Sequence, residues 1–218
     1  MSIASTTPGV ALRAPPPPFT QGGLQQRGFV RGSRKFGAVA LALVAIALAT
    51  DAGWLHAKAW LAQRLLQDAW ATTRATQQPQ RPWPWADTHP VARLRVAARD
   101  VDQIVLAGDA GRSLAFGPGW AEASATPGSA GTVVISGHRD THFAFLRSLQ
   151  PGDEIRLEDA ASVRRYRVSS TRIADARREA ITLQSGDAAL LLVTCWPFDA
   201  LVAGGPLRYV VRAEPDPS

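Results

Sequence analysis

The 218-residue sequence contains one cysteine, Cys195, which ends the apolar run "AALLLVTC". A free cysteine usually packs as a small hydrophobe, but it becomes a nucleophile where a cationic or proton-accepting neighbour favours the thiolate. His89, His138 and His142 are the candidate neighbours. His89 sits in a proline-rich stretch and reads as solvated. His138, in "VVISGHRDTHFAF", follows an apolar strand and a glycine, the setting Cys195 also has, so both side chains should emerge at strand ends and meet across a groove. Attack on an amide also needs a group to hold the developing oxyanion, and an arginine, always charged and rich in donors, suits that task. Arg208 in "GGPLRYVVRA" lies in the strand after Cys195, and pairing of neighbouring strands would bring it beside the thiol; the competing reading is an outward-facing surface arginine.

Other chemistries fail on particulars. "HRD" lacks the downstream asparagine, glycine-rich loop and strand lysine of a kinase. His138 and His142 are four apart, but "RDT" between them puts no glutamate in the HExxH position, so a zinc site completed by Cys195 is a minor alternative and no metal or other cofactor is expected. The sequence has no asparagine, which excludes a papain-like triad.

The elements that must position these residues are short strands. "ARLRVA" alternates Arg93 and Arg95 with Leu94 and Val96, and "QIVLAG", "GTVVISG", "DEIRLED", "RRYRVSS", "AALLLVTC" and "LRYVVRA" follow, separated by Gly, Asp and Pro. "THFAFLRSL" (141–149) reads as a short helix closed by the turn "QPGD". So many short strands in about 125 residues imply a mainly β domain, a closed barrel or a sandwich. Trp120, Phe143, Phe145, Trp196 and Phe198 are candidates to line a peptide groove, although aromatic residues more often pack in a core or its rim.

Charge and hydropathy organise the rest. The isoelectric point of 10.6 would suit a nucleic-acid binder. However, Arg13, Arg27, Arg31, Arg34 and Lys35 carry the excess in a Pro-, Gly- and Gln-rich tail without acids, leaving 19 basic against 18 acidic residues elsewhere. Residues 1–35 are therefore expected to be a disordered cytoplasmic tail, with no nucleic-acid partner. "FGAVALALVAIALAT" follows, and a span of roughly 20 residues reaches from 36 to 55. Basic residues before it orient the chain with its N-terminus in the cytoplasm and the remainder exported. Cleavage at Ala47-Leu48-Ala49 is the alternative to an uncleaved single-pass anchor. An amphipathic juxtamembrane helix is expected over 56–76, a proline-punctuated linker over 77–90 and the β domain over 91–214. In an oxidising compartment a second thiol would threaten to lock Cys195 in a disulfide.

The segments Leu191–Cys195, "SGHRDTHF" and "LRYVV" resemble, in that order, the TLxTC signature, histidine segment and arginine strand of the sortase family, with Leu191 in place of the leading Thr. The similarity covers roughly 91–213, and the anchor, the juxtamembrane segment and the linker resemble the class found in Gram-negative bacteria. The resemblance implies an eight-stranded sortase-type β-barrel and a cysteine transpeptidase on the periplasmic side of the inner membrane. Its partners would be a protein carrying an LPxTG-like sorting signal and an acceptor amine of unknown identity. It implies Cys195 as nucleophile, His138 as acid and base, and Arg208 as substrate or oxyanion ligand, with Thr194, Asp140, His142 and Trp196 as candidate substrate-binding residues. A thiol hydrolase of the same fold and a non-catalytic periplasmic binding barrel are the alternatives.

Overall fold

A computed structural model describes residues 29–179, 188–200, 202 and 204–216. Eight strands, β1 (Pro90–Val96), β2 (Val101–Ala107), β3 (Gly119–Trp120), β4 (Thr132–Ser136), β5 (Glu154–Glu158), β6 (Val163–Asp175), β7 (Ala189–Cys195) and β8 (Leu207–Pro215), close into a barrel in the order β1-β2-β3-β4-β7-β8-β6-β5. This is the mainly β, eight-stranded barrel expected from the sequence. Seven strands coincide with the runs read there; the two-residue β3 is an addition.

Alternation builds the wall. In β1, Ala92, Leu94 and Val96 are fully buried while Arg93 and Arg95 point outward, and Arg93 pairs with Asp102 of the adjacent β2. β7 does not alternate, because both its faces are covered. Leu190 and Leu192 enter the barrel core with Leu94, Val105, Ile135 and Val211, while Leu191 and Val193 pack on the other face with Val134 and Val210. A strand buried on both sides reads as a continuous apolar run, as "ALLLV" does. The expected helix at 141–149 is a turn followed by a short 3-10 segment, Ala144–Ser148, whose Leu146 is buried.

Helix α1 (Phe29–Thr76) precedes the barrel and covers the stretches expected as the anchor, 36–55, and as the juxtamembrane helix, 56–76. No Pro interrupts it, and the separated glycines Gly32, Gly37 and Gly53 do not break an otherwise helix-favouring run. The expected basic tail lies outside the described residues up to position 28, and residues 29–35 are helical. The apolar part of α1 is long and apolar enough to cross a membrane. The described residues divide into two compact units, one ending at Ala52 and the other beginning at Gly53.

Within the second unit, Leu66 and Trp70 of α1 are buried against Ile104 and Leu106 of β2. Gln63 donates to the carbonyl of Phe116 at 2.7 Å, and Arg74 pairs with Glu158. The proline-punctuated stretch 77–90 is packed rather than free. Trp83 meets Phe116 edge-on at 5.2 Å, Thr88 Oγ1 donates to the Ala107 carbonyl at 2.7 Å, and Pro90 already belongs to β1. His89 is half-buried instead of solvated, and burial lowers its pKa.

Candidate active site

Parallel pairing makes the site. β4 and β7 run side by side in the same direction, with Ser136 opposite Val193, so the residues that follow each strand emerge at the same end of the barrel. Gly137 N–H donates to the Val193 carbonyl at 3.1 Å, and the buried Thr194 Oγ1 donates to the Gly137 carbonyl at 2.7 Å. These bonds bring the start of the His138 loop to the end of the Cys195 strand. β8 returns antiparallel to β7 with Arg208 directly opposite Cys195, which is the placement expected from the sequence.

The strand ends open into a cleft of about 320 Å³ lined by Asp109, Leu114, Ser136, Gly137, His138, Val193, Thr194, Cys195 and Arg208. His138 is exposed and Cys195 partly exposed, so both can be reached from solvent. Arg208 Nη1 donates to the carbonyls of Gly205 at 2.6 Å and Leu207 at 2.9 Å, which fixes the plane of its guanidinium. A thiol, an imidazole and a guanidinium facing one concave space can supply a nucleophile, a proton carrier and an oxyanion ligand.

Gly137 is required by close approach. A Cβ there would lie 2.7 Å from the ring of Phe143, which is fully buried beneath the loop. Phe143 N–H in turn donates to the His138 carbonyl at 2.9 Å, folding the chain back under the histidine.

Four sequence candidates, Cys195, His138, Arg208 and Thr194, line the cleft; Asp140, His142 and Trp196 do not. Asp140 is exposed and pairs with Arg139 at 3.1 Å. His142 is half-buried, its carbonyl accepts from Gln103 Nε2 at 2.8 Å, and its pKa is lowered first by burial and then by the charge of His138. Trp196 stacks on Tyr209 with centroids 5.6 Å apart and meets Phe198 edge-on. Among the described residues no group of three His, Cys, Asp or Glu side chains is arranged to hold a metal ion.

Asp109, Leu114 and Ser136 are cleft residues that sequence reading missed. Asp109 and Leu114 belong to the connection from β2 through α2 (Gly111–Leu114) to β3, and Asp109 Oδ2 lies 3.5 Å from Ser136 Oγ. The usable signal was the strand end "VLAGD", which places Asp109 just beyond β2 as His138 lies just beyond β4.

Comparison with known proteins bears on the family and the fold. The Sortase domain family matches residues 94–216. Sortase D of Bacillus subtilis (strain 168) is 33% identical over 119 residues, covering 54% of this chain and 60% of the relative, so the chain spans under two thirds of that protein's length. Sortase C-1 from Streptococcus pneumoniae superposes with a TM-score of 0.53 at 25% identity, covering 59% of this chain and 68% of that one. A Clostridium perfringens Sortase D5 transpeptidase gives 0.56 at 19% identity, covering 71% of this chain and 96% of that one, a likeness of fold alone. With the domain match extending over more than half of the sequence and the barrel shared with these structures, the chain belongs to the sortase family of cysteine transpeptidases.

Proposed function

We propose that this chain is a membrane-anchored sortase that cleaves an LPxTG-like sorting motif between Thr and Gly and transfers the acyl group to an amine. The observation that carries the reading is that His138, Cys195 and Arg208, from three separate segments, line one cleft. The Cys195 thiolate attacks the Thr carbonyl carbon, with the thiol proton held on His138. As the tetrahedral intermediate collapses, the C–N bond breaks and His138 gives its proton to the departing glycine amine, leaving a thioester on Cys195. An incoming amine attacks that thioester, loses its proton to His138 and releases the thiolate. Arg208 holds the oxyanion or the substrate, and Thr194 braces the pocket through its bond to the Gly137 carbonyl.

The five basic residues before the apolar span argue for an N-terminus in the cytoplasm, a barrel outside it and residues 36–55 as the anchor. The anchor, the juxtamembrane segment and the proline-rich stretch support assignment to the class of Gram-negative bacteria, with the barrel in the periplasm. Asp140, His142 and Trp196 would then contribute around the cleft rather than within it.

Intact mass of the full chain incubated with an LPxTG-type peptide and no amine tests the reading. The wild type should gain the mass of the N-terminal peptide fragment, and Cys195→Ala should not. A Cys195→Ala chain that still cleaves the peptide would overturn the assignment. Products formed with and without added amine distinguish transfer from hydrolysis.

A further inference from the structure

Among the described arginines Arg139 is unusual. It follows the exposed His138, yet its own side chain is 6% exposed. Its Nη1 donates to the Pro197 carbonyl at 2.7 Å and its Nη2 to the Ala200 carbonyl at 2.5 Å, while Nε faces Asp140 at 3.1 Å. Pro197 and Ala200 belong to the segment leaving Cys195. One rigid fork therefore ties the residue after the histidine to the chain just after the cysteine. The exposed Asp140 supplies the counter-charge from the solvent side.

We propose that Arg139 is a positioning residue, which sets the relation between His138 and Cys195 by clamping their two loops together; this rests on the catalytic reading above. The β4–β7 hydrogen bonds fix the strands only as far as Gly137 and Thr194. Beyond those points the His138 loop leaves the sheet, while β7 runs on against β8 through Cys195 and Trp196 before it turns away, and the guanidinium spans the two departing segments. Two carbonyls and a carboxylate in different directions need the planar, multi-donor arginine head. A lysine ammonium can reach one or two of them but not the set. His138 and Cys195 must exchange a proton, so a shift of about an ångström between the loops is expected to slow acylation without weakening peptide binding.

The test uses full-length chain in detergent, as wild type, Arg139→Lys, Arg139→Gln and His138→Ala, with folding checked by thermal melting. Single-turnover thioester formation with an LPxTG-type peptide should show the limiting rate of Arg139→Gln reduced about tenfold to a hundredfold. The half-saturating peptide concentration should change by less than about twofold, with Arg139→Lys intermediate. The pH dependence of Cys195 alkylation by iodoacetamide should move in Arg139→Gln away from the wild-type curve and toward that of His138→Ala. A folded Arg139→Gln with the wild-type limiting rate and the wild-type alkylation curve overturns the proposal, as does a loss confined to peptide binding. Should Arg139→Gln fail to fold, the same criteria apply to Arg139→Lys. If the wild type acylates no peptide, the sorting reading is what fails, and the alkylation curves alone decide the role of Arg139.

Discussion

Cys195 and Arg208 occupy one position of the β7–β8 register, so their side chains share a face of the sheet at its open end. The carbonyls of Gly205 and Leu207 fix the Arg208 head, and this makes a preorganised donor of it rather than a mobile charge. If it holds the oxyanion, Arg208→Ala should lower the limiting acylation rate by about 10²–10³, the usual cost of losing one such donor. Arg208→Lys should recover little, because an ammonium cannot keep both carbonyls and still face the cleft. Single-turnover kinetics check this, and an unchanged rate with a raised half-saturating concentration would assign Arg208 to substrate binding instead. Residues of this kind were legible from sequence because each combines a chemically capable side chain with a strand end. Arg139 was not, because a guanidinium beside a histidine reads as a surface charge until the loop that buries it is seen.

The parallel β4–β7 pair is what turns two strand-end residues into a site, and its closing contacts are sensitive to single atoms. Thr194→Val keeps the shape but removes the buried donor to the Gly137 carbonyl, a change expected to cost about 1–3 kcal/mol. Gly137→Ala should destabilise by about 1–3 kcal/mol, since the added methyl would meet the Phe143 ring at 2.7 Å in a packed interior. Urea unfolding measures both, and a Gly137→Ala chain as stable as the wild type would show that Phe143 has room to move. Alternation in "ARLRV" and the unbroken run of "ALLLV" made β1 and β7 readable, because each records which faces are covered. β3 has two residues, too few for any period, so the passage of the chain from β2 to β4 was invisible, and only the strand end "VLAGD" pointed to Asp109.

Stability against pH belongs to the folded barrel as a whole, since it sums every group whose proton affinity changes on folding. Groups with lowered or raised pKa fall into separate windows. Asp102 is held below its ordinary value mainly by the hydrogen bond from Arg93, so its contribution is present above the unfolded carboxylate value and lost in strong acid. Tyr166 is raised by burial, so its contribution is lost only in strong alkali, where the unfolded chain ionises first. Between these windows stand His89 and His142, both lowered from 6.5 chiefly by burial. Below that value the unfolded chain takes up protons that the folded chain resists, so folding stability falls as the pH drops through this range and is fully present above it. Each histidine can contribute at most about 1.4 kcal/mol per pH unit to the slope. Urea midpoints measured from pH 7.5 to 5 should therefore decline for the wild type, and a His89→Gln, His142→Gln chain should decline less over the same interval. Because the charge of His138 adds to the lowering at His142, His138→Gln should also flatten part of the slope, and it should do so in the single His89→Gln background but not once His142 is gone. A double-histidine variant that follows the wild-type curve would place the acid sensitivity in other groups of the barrel.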